Sequence, residues 1–464
     1  MKRDGYLSLT VRSGVATGIV PAHLDCLSGA GRASSRLDGG RIDAAVMKWA
    51  EGARYRRVFH AARSLGRPGE QHAGYDAEEE ALGLSRTYQV ELARPEADAS
   101  LREALRDLAN VEQCQVQTLA TAPLQSAPAR RQVSRDEALL AQRRIRAPEA
   151  MAREPGHPQV TVALVDTGVV VGHPELQRRC LAGYDTVDLG LGRINDTTRL
   201  IGDSRGWDYN PYDEVGHGCL VAGIIGAQGF RVPRGLAGLA MLLPIRVLAA
   251  ARRDAAPSRL IGVGALPDID EGLKVAVDLG AVVINMSLGS PVDDADPHAA
   301  PPHQAVVRYA ARRGCVIVAA AGNSGQAQRF YPAALPEVIA VGSVDADGHR
   351  SRFSSWGPHI ALCAPGEGIV GVSRHGYQTS SGTSFASPYV AGAAAILASH
   401  ARRHGIHLDG ALAREILCST AQPLPGPREE VGAGLLDCAA ALEALRARQQ
   451  RPSGTTRRHE AEHA

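Results

Sequence analysis

Three residues of the sequence have the types that nucleophilic attack on an amide requires. Asp166 stands in VALVDTGV, His217 in VGHGCLVAG and Ser384 in SSGTSFASPYVAG. Acyl transfer from an amide needs a nucleophile, a base that takes its proton and an acid that orients the base. A serine, a histidine and an aspartate can supply these three functions.

Cys219 offers a second nucleophile, because it follows His217 by two residues. Side chains at positions i and i+2 of a helix point to different sides, so a His217 that faces a cleft leaves Cys219 poorly placed to share its proton. Ser384 stands where a Gly-rich turn enters an apolar helix, whose positive end would stabilise an oxyanion. We therefore favour Ser384 as the nucleophile and expect Cys219 to be a packed thiol.

A fourth motif, AAAGNSG, places Asn323 after an apolar run. An Asn amide can donate to a tetrahedral oxyanion, and loss of one such donor typically costs about 10²–10³-fold in kcat. Alternatively, Asn323 serves only the left-handed turn that Gly322 and Gly325 suggest. We expect Pro388 in the first turn of the helix after Ser384, where its missing N–H costs little.

These motifs stand at the ends of apolar runs that alternate with helical segments. Such runs are typical of a parallel sheet that helices cover on both faces, where sites form at the carboxyl ends of the strands. The predicted fold class is therefore α/β, with a doubly wound parallel sheet. Its strands are predicted at 159–165, 242–248, 281–288, 315–321 and 337–344.

Over roughly 158–445 the sequence resembles the subtilisin-like (subtilase) serine proteases. The resemblance is carried by VDTGV, GHGCLVAG, INMSLGS, AAAGNSG and GTSFASPYVAG, which follow one another in the family's order. It implies a subtilisin-like fold with Asp166 as the orienting acid, His217 as the general base and Ser384 as the nucleophile. It also implies that Asn323 is an oxyanion donor.

The resemblance further implies how a substrate would bind. Ser287, Leu288 and Gly289 would form a strand edge that pairs with the substrate backbone. Phe330 precedes the pair Tyr331-Pro332, at the position that lines the floor of the family's S1 pocket. A bulky floor makes that pocket shallow and favours a small P1 residue.

Two departures from the family pattern concern the histidine helix and the loop that follows it. The usual GHGTHVAG reads GHGCLVAG here, but neither altered position is the base. The loop GAQGFRVPRGLAG carries Arg231 and Arg234 and no carboxylate, whereas many members of the family bind calcium there. We therefore expect no metal site in this loop, and we expect no cofactor.

The first part of the chain precedes the resemblance. Arg41–Leu65 is predicted to be helical, whereas 86–92, a helix from Ser100 and 113–120 predict a small α+β module of β-α-β character. This module has the size of the family's inhibitory prodomains, and a maturation cut is expected between Thr121 and Met151. The predicted organisation is an N-terminal extension of unknown role (1–84), the prodomain-like module (85–122), a linker with a helix (123–157), the subtilisin-like catalytic domain (158–446) and a disordered tail (447–464).

Composition sets broad limits on partners and location. The 464 residues include 51 Lys and Arg against 49 Asp and Glu, so a net charge of +2 gives no electrostatic case for nucleic acid. The basic N-terminus lacks the apolar run of a signal peptide, and no segment predicts a membrane span. We expect a cytoplasmic protein, with unconventional export as an alternative. The eight cysteines are scattered, and we favour free thiols over disulfides.

The sequence thus predicts a serine endopeptidase that acts on a protein or peptide substrate, with an intramolecular prodomain and self-maturation. One alternative is an inactive peptide-binding scaffold with the same fold. Another is a dedicated processing protease for a single partner or leader peptide.

Overall fold

The computed structural model describes residues 1–123, 135–195, 197–206, 208–254, 259–294 and 300–450. The strands are β1 Lys2–Val11, β2 Ala53–Arg57, β3 Thr87–Leu92, β4 Val111–Pro123, β5 Thr161–Asp166, β6 Tyr184–Asp185, β7 Arg193–Asn195, β8 Thr198–Leu200, β9 Met241–Arg246, β10 Ala249–Arg253, β11 Arg259–Ala265, β12 Val283–Met286, β13 Ser290–Pro291, β14 Val316–Ala320, β15 Phe330–Tyr331, β16 Val338–Val344, β17 Ile360–Pro365, β18 Ile369–Ser373 and β19 Gly376–Ser380. The helices are α1 His23–Leu27, α2 Arg41–Ala50, α3 Ala77–Ala81, α4 Asp98–Arg106, α5 Arg135–Arg144, α6 Ala147–Arg153, α7 His217–Gly226, α8 Leu266–Asp278, α9 Gln304–Arg312, α10 Thr383–His404, α11 Gly410–Ser419, α12 Arg428–Val431 and α13 Cys438–Gln450.

A seven-stranded sheet forms the centre of the main domain (residues 158–446). Its strand order is β17-β16-β14-β12-β5-β9-β6, and all neighbouring pairs are parallel. The five strands predicted from the sequence are β5, β9, β12, β14 and β16, so this prediction is confirmed.

Helices cover both faces of this sheet. Alternate strand residues contribute to two cores: Val162 and Leu164 of β5 pack with α7 and α10, whereas Ala163 and Val165 pack with α8 and α9. Strands with two buried faces need apolar residues at every position, which explains the continuous apolar runs in the sequence. The doubly wound arrangement is therefore confirmed.

The N-terminal domain (residues 1–123) contributes four neighbouring strands to a second sheet, in the order β2-β3-β1-β4. Strand β1 lies between β3 and β4 and is antiparallel to both, so β3, α4 and β4 form a split β-α-β unit. The sheet thus runs across the boundary predicted near residue 84. Pairing partners of β1 lie about 80 or more residues away in the chain, and no local pattern reports such pairing.

The predicted helix over Arg41–Leu65 is wrong in its second half. Helix α2 ends at Ala50, and Glu51 and Gly52 take positive φ values of 58° and 128°. Strand β2 then follows at Ala53–Arg57, with Tyr55 buried in the core of the N-terminal domain. Gly52 is the sequence signal for this break, because glycine adopts such backbone angles without steric cost.

Strand β4 joins the two domains. Its first part pairs with β1, while residues 119–123 pair with β11 of the main domain in the register Thr121↔Val263. Strands β11, β10, β8 and β7 continue the sheet, which therefore contains eight strands from both domains. The fold thus ties the N-terminal domain to the main domain through backbone hydrogen bonds.

Parts of the predicted linker and tail lie outside the described residues, namely 124–134 and 451–464. Helices α5 and α6 occupy the described part of the linker, and α13 extends to Gln450. The eight cysteines form no disulfide. Among the residues that the structure describes, no helix is both long and apolar enough to span a bilayer.

Candidate active site

Asp166 and His217 are in direct contact at one edge of the parallel sheet. Asp166 is the last residue of β5, and His217 is the first residue of α7. The Nδ1 atom of His217 lies 2.7 Å from Oδ1 of Asp166, and both side chains are fully buried. A carboxylate at Nδ1 holds the proton there, so the neutral ring presents an unprotonated Nε2.

The charge of Asp166 decides the proton affinity of the imidazole. Burial acts to lower the pKa of His217, but the charge of Asp166 and its hydrogen bond act in the opposite direction and leave this pKa above its ordinary value. The Nε2 atom has no hydrogen-bond partner among the described residues. This atom is therefore available to accept a proton.

Ser384 is the second residue of α10 and lies beside the histidine. Its hydroxyl donates to the carbonyl oxygen of Ser287 at 3.2 Å rather than to the imidazole. The ring of the next residue, Phe385, packs at 5.3 Å from the centre of the His217 ring. Catalytic hydrogen bonds are often unformed without substrate, so this arrangement is compatible with Ser384 as the nucleophile.

Pro388 is not in the first turn of α10, contrary to the sequence prediction. The helix begins at Thr383, so Pro388 is its sixth residue and cannot donate to the carbonyl oxygen of Ser384. The hydroxyl of Ser287 donates to that oxygen instead, at 2.8 Å. A side chain from the end of β12 thus repairs the helix at the residue that carries the candidate nucleophile.

Asn323 is fixed by hydrogen bonds to its oxygen. Its Oδ1 accepts from the backbone N–H of Thr383 at 2.9 Å and from the Thr383 hydroxyl at 3.0 Å. The amide Nδ2 therefore remains as a donor beside the start of α10. The left-handed turn positions belong to Gly322 (φ 107°) and Gly325 (φ 71°), so Asn323 is not present to satisfy a turn conformation.

The residues predicted to bind substrate lie next to Ser384. Ser287, Leu288 and Gly289 follow β12, and the N–H and C=O of Gly289 pair with the C=O and N–H of Thr121 at 3.1 and 3.0 Å. The edge thus already holds an extended segment, which is the end of β4.

Phe330 lies against two glycines of the same region. Its strand β15 pairs with β13, directly after the Gly289 edge. A Cβ on Gly322 would come within 2.3 Å of the Phe330 ring, and one on Gly289 would lie 3.4 Å from Cβ of Phe330. The ring therefore fills the space between the two backbone segments that carry these glycines.

Asp213 is a buried residue of this site that the sequence analysis missed. Its carboxylate accepts from the Thr167 hydroxyl at 2.9 Å and from the N–H groups of Val215, Gly216 and Cys219 at 2.9, 2.7 and 2.8 Å. Burial raises the pKa of Asp213, while these hydrogen bonds favour the anion. An Asp shortly before a helix start is an N-terminal capping signal, and its position four residues before His217 could have revealed it.

Asp213 also positions both partners of the Asp166–His217 pair. The hydroxyl of Thr167, which donates to Asp213, accepts the N–H of Gly218 at 2.9 Å. Thr167 follows Asp166 directly, and Gly218 follows His217. One carboxylate therefore joins the end of β5 to the start of α7.

Cys219 behaves as the predicted packed thiol. Its Sγ accepts the N–H of Val170 at 3.3 Å, and the residue is completely buried. Burial, together with the charge of Asp213, raises the pKa of this thiol well above its ordinary value. A protonated thiol is a poor nucleophile, so the Cys219 alternative is not supported.

The loop after α7, where no metal site was predicted, is held by a carboxylate. Glu175 is buried and accepts the N–H groups of Gly229, Phe230, Arg231 and Val232 at 2.7–3.3 Å. These bonds lower the pKa of Glu175 although burial opposes the shift. Within the described part of the chain, no group of three His, Cys, Asp or Glu side chains could hold a metal ion.

Replacement of Asp213 by Ala is expected to lower the free energy of unfolding by about 2–4 kcal/mol, because it leaves several buried donors without an acceptor. Denaturant unfolding of the Ser384→Ala protein, with and without the change, measures this loss. Asp347→Ala, at an exposed position, is the control and should change stability little. Equal unfolding curves for the two aspartate variants would contradict the role given to Asp213.

Comparisons with known proteins show which family the chain resembles. The model of the subtilase family matches residues 157–434. A thermophilic serine proteinase of Bacillus sp. (strain AK1) is 39% identical over 244 residues, which are 52% of this chain and 53% of that protein. Thermitase of Thermoactinomyces vulgaris is 36% identical over 263 residues, which are 56% of this chain and 81% of that protein.

The major intracellular serine protease of Bacillus subtilis (strain 168) is 34% identical over 265 residues, covering 55% of this chain and 73% of that protein. The match thus spans about half of the first relative and most of the other two. The family model covers more than half of the present sequence, from just before β5 to just after α12. The chain belongs to the subtilase family.

Proposed function

We propose that this protein is a serine endopeptidase in which Asp166, His217 and Ser384 form the catalytic triad. The observation that carries the proposal is the buried 2.7 Å contact between Asp166 and His217. This contact leaves Nε2 free, and the His217 ring packs against Phe385, which directly follows Ser384 in α10. The similarity to named serine proteases supports the same reaction.

The reaction divides into two proton-coupled steps. His217 Nε2 takes the proton of Ser384 Oγ as that oxygen attacks the carbonyl carbon of the scissile bond. The amide of Asn323 and the backbone N–H of Ser384 donate to the resulting oxyanion. The imidazolium then gives its proton to the leaving amine, and an acyl-enzyme remains. Water attacks this ester with His217 again as the base, which releases the acid and restores Ser384.

Strand β4 suggests how a substrate binds. Thr121 is paired with Gly289 on one edge and with Val263 of β11 on the other, so an extended segment is held from both sides. Backbone pairing of this kind gives affinity largely independent of sequence. The end of β4 occupies the edge where we expect the substrate to bind. This occupancy supports the proposal that the N-terminal domain blocks the site until the chain is cut between Thr121 and Met151.

The space beside Gly289 supports a preference for small P1 residues. The Phe330 ring fills the gap between Gly289 and Gly322, where a large P1 side chain would otherwise lie. A substrate with Ala, Gly or Ser at P1 needs no such space. The proposed substrate is therefore an extended protein or peptide segment with a small P1 residue.

A fluorophosphonate probe is expected to label the wild-type protein and Ser381→Ala but not Ser384→Ala. Ser381 is the control because it lies on the same turn outside the triad, where its hydroxyl accepts the N–H of Gly368. Intact mass should place the wild-type N-terminus between 121 and 151, whereas Ser384→Ala should keep residue 1. If the wild-type enzyme is labelled and fully active but keeps an intact N-terminus, self-maturation is refuted and the triad is not. Absence of labelling in the wild type would refute the triad.

The value of kcat/KM for a short peptide is expected to fall about tenfold per pH unit below the pKa of His217, because a protonated base cannot accept the serine proton. Since the charge of Asp166 raises this pKa, the decline should begin above the ordinary histidine value of about 6.5. Asp166→Asn removes that charge, so it should lower the rate about 10⁴-fold and move the decline to lower pH. An unchanged midpoint in Asp166→Asn would contradict this assignment.

Replacement of Phe330 by Ala is expected to raise kcat/KM for a P1 Phe peptide, relative to a P1 Ala peptide, by roughly tenfold or more, since the freed space can bury an aromatic side chain. Two peptides that differ only at P1 measure this ratio. Phe230→Ala is the matched control because its side chain is 61% exposed and lies in the loop held by Glu175. An equal ratio in wild type and Phe330→Ala would refute the role of Phe330 in specificity.

A further inference from the structure

A cluster of buried charged side chains lies where the N-terminal domain meets helix α8. Its central residue is His60, which follows β2 in the N-terminal domain. The Nδ1 atom of His60 lies 2.9 Å from Oε1 of Glu271, and its Nε2 lies 2.7 Å from Oδ2 of Asp278. The side chains of His60 and Glu271 are fully buried, and that of Asp278 is 4% exposed.

With Glu271 and Asp278 both ionised, this geometry requires a charged imidazole. A neutral histidine has one N–H and one lone pair, so only one ring nitrogen could donate to a carboxylate. The other nitrogen would then face a carboxylate oxygen without a proton between them. Burial and the charge of Lys274 act to lower the pKa of His60, but the two carboxylates outweigh them and raise it. The imidazolium therefore fits this position, and the neutral ring does not.

The other charged groups around His60 make the net charge of the buried cluster depend on the proton of its ring. Lys274 Nζ lies 2.6 Å from Oε1 of Glu79 and 2.7 Å from Oδ2 of Asp278. The hydroxyl of Tyr309 on α9 donates to the other oxygen of Asp278 at 2.6 Å. Lys274 thus pairs with two carboxylates, and Glu271 adds a third to the cluster, so a protonated His60 leaves one net negative charge and a neutral His60 leaves two. Buried charge without a partner is costly.

Arg313 and Tyr75 lie near this cluster but do not neutralise its negative charge. Arg313, which directly follows α9, lies over the Tyr309 ring at 4.9 Å and pairs with Asp76 at 2.5 Å and Glu78 at 3.0 Å. Tyr75 donates to the backbone oxygen of Phe59 at 2.7 Å. Arg313 is therefore engaged by acids of its own, and the charge balance at His60 depends on the proton of its ring.

The same face of α8 holds a second histidine of the N-terminal domain. His23 Nε2 lies 3.5 Å from Oδ1 of Asp268, and both side chains are fully buried. Asp268, Glu271 and Asp278 are spaced by three and seven residues, which places them along one side of the helix. Nearby, Arg56 pairs with Asp188 at 2.8 Å. Basic groups of the N-terminal domain thus meet acids of the main domain repeatedly.

His60 is also connected to the strand on the substrate edge. Its neighbours Val58 and Phe59 pack in one core with Ala120 and Ala122 of β4 and with α8. Thr121, between those two alanines, carries the hydrogen bonds to Gly289. Movement of the N-terminal domain away from α8 would therefore withdraw β4 from the edge.

We propose that the acidic face of α8 is a docking surface that holds the N-terminal domain only while His60 is protonated, so that alkaline pH frees the substrate edge. The proposal rests on the proposed function, because it concerns the control of that site. The sign follows from linkage: a histidine with a raised folded-state pKa stabilises docking fully below its undocked pKa of about 6.5, and this stabilisation is lost as pH rises through the docked pKa. The docking constant then falls by roughly tenfold for each unit between the two values.

Hydrogen exchange on the full-length Ser384→Ala protein tests this without any cleavage. Peptides that contain Thr121 and Gly289 report the strand on the edge, and peptides with Tyr55 and Val90 report the fold of the N-terminal domain. Between pH 6 and 9.5, after correction for intrinsic exchange, protection at Thr121 and Gly289 should fall roughly tenfold or more. Protection at Tyr55 and Val90 should remain.

Three variants of the Ser384→Ala protein separate the proton from general destabilisation. His60→Gln should show low protection of Thr121 at every pH, without the transition. Glu271→Gln removes one carboxylate and accommodates a neutral ring, so its transition should move to lower pH. His349→Gln is the control, because this side chain is 68% exposed, and it should behave like the parent protein.

Binding of a fluorescent peptide with a small P1 residue gives a second measure, because the peptide needs a free edge. Its Kd should decrease as pH rises in the parent protein and should be low throughout in His60→Gln. The proposal would be overturned if protection and peptide Kd depended on pH in the same way in the parent, His60→Gln and Glu271→Gln proteins. It would also be overturned if protection at Tyr55 were lost together with protection at Thr121. Neither measurement involves catalysis, so failure of the triad would appear only in the fluorophosphonate labelling.

Discussion

The structure depends on the hydrogen bonds that strand β4 makes on its two edges. Its first part pairs with β1, and its last residues pair with β11 on one side and with Gly289 on the other. Backbone groups in an extended segment have no partners within the segment, so each edge must be covered. Because β4 pairs with β11, the two domains form one continuous sheet, and because β4 also pairs with Gly289, that edge is occupied by the protein's own chain.

A few polar side chains hold His217 and Ser384 of the proposed triad in place. They form hydrogen bonds with backbone groups of α7 and α10 that would otherwise lack a partner. Asp213 supplies the acceptor that Gly216 cannot provide at the start of α7. The hydroxyl of Ser287 supplies the donor that Pro388 lacks in α10. Both repairs occur one turn or less from a residue of the proposed triad, so the position of His217 and Ser384 is set by buried hydrogen bonds as much as by the sheet.

The sequence revealed most of the site because three of its motifs follow strands with two buried faces, whereas the motifs of His217 and Ser384 open helices α7 and α10. Asp166, Asn323 and Ser287 come directly after or at the end of apolar runs, and the carboxyl ends of parallel strands share one edge. The N-terminal domain was harder to predict, since β1 finds its partners about 80 or more residues away and β2 is only five residues long. The His60 cluster could not be predicted, because it arises from packing between distant segments.

His217 and His60 illustrate how one physical situation serves two purposes. Each ring is fully buried beside carboxylates that raise its pKa above the ordinary value. His217 has a carboxylate at one nitrogen only, so the neutral form is stable and its free Nε2 can act as a base. His60 has a carboxylate at both nitrogens, so only the charged form satisfies its surroundings. Loss of a proton would therefore activate the first histidine and weaken the contact made by the second, and both changes favour an open, competent site at higher pH.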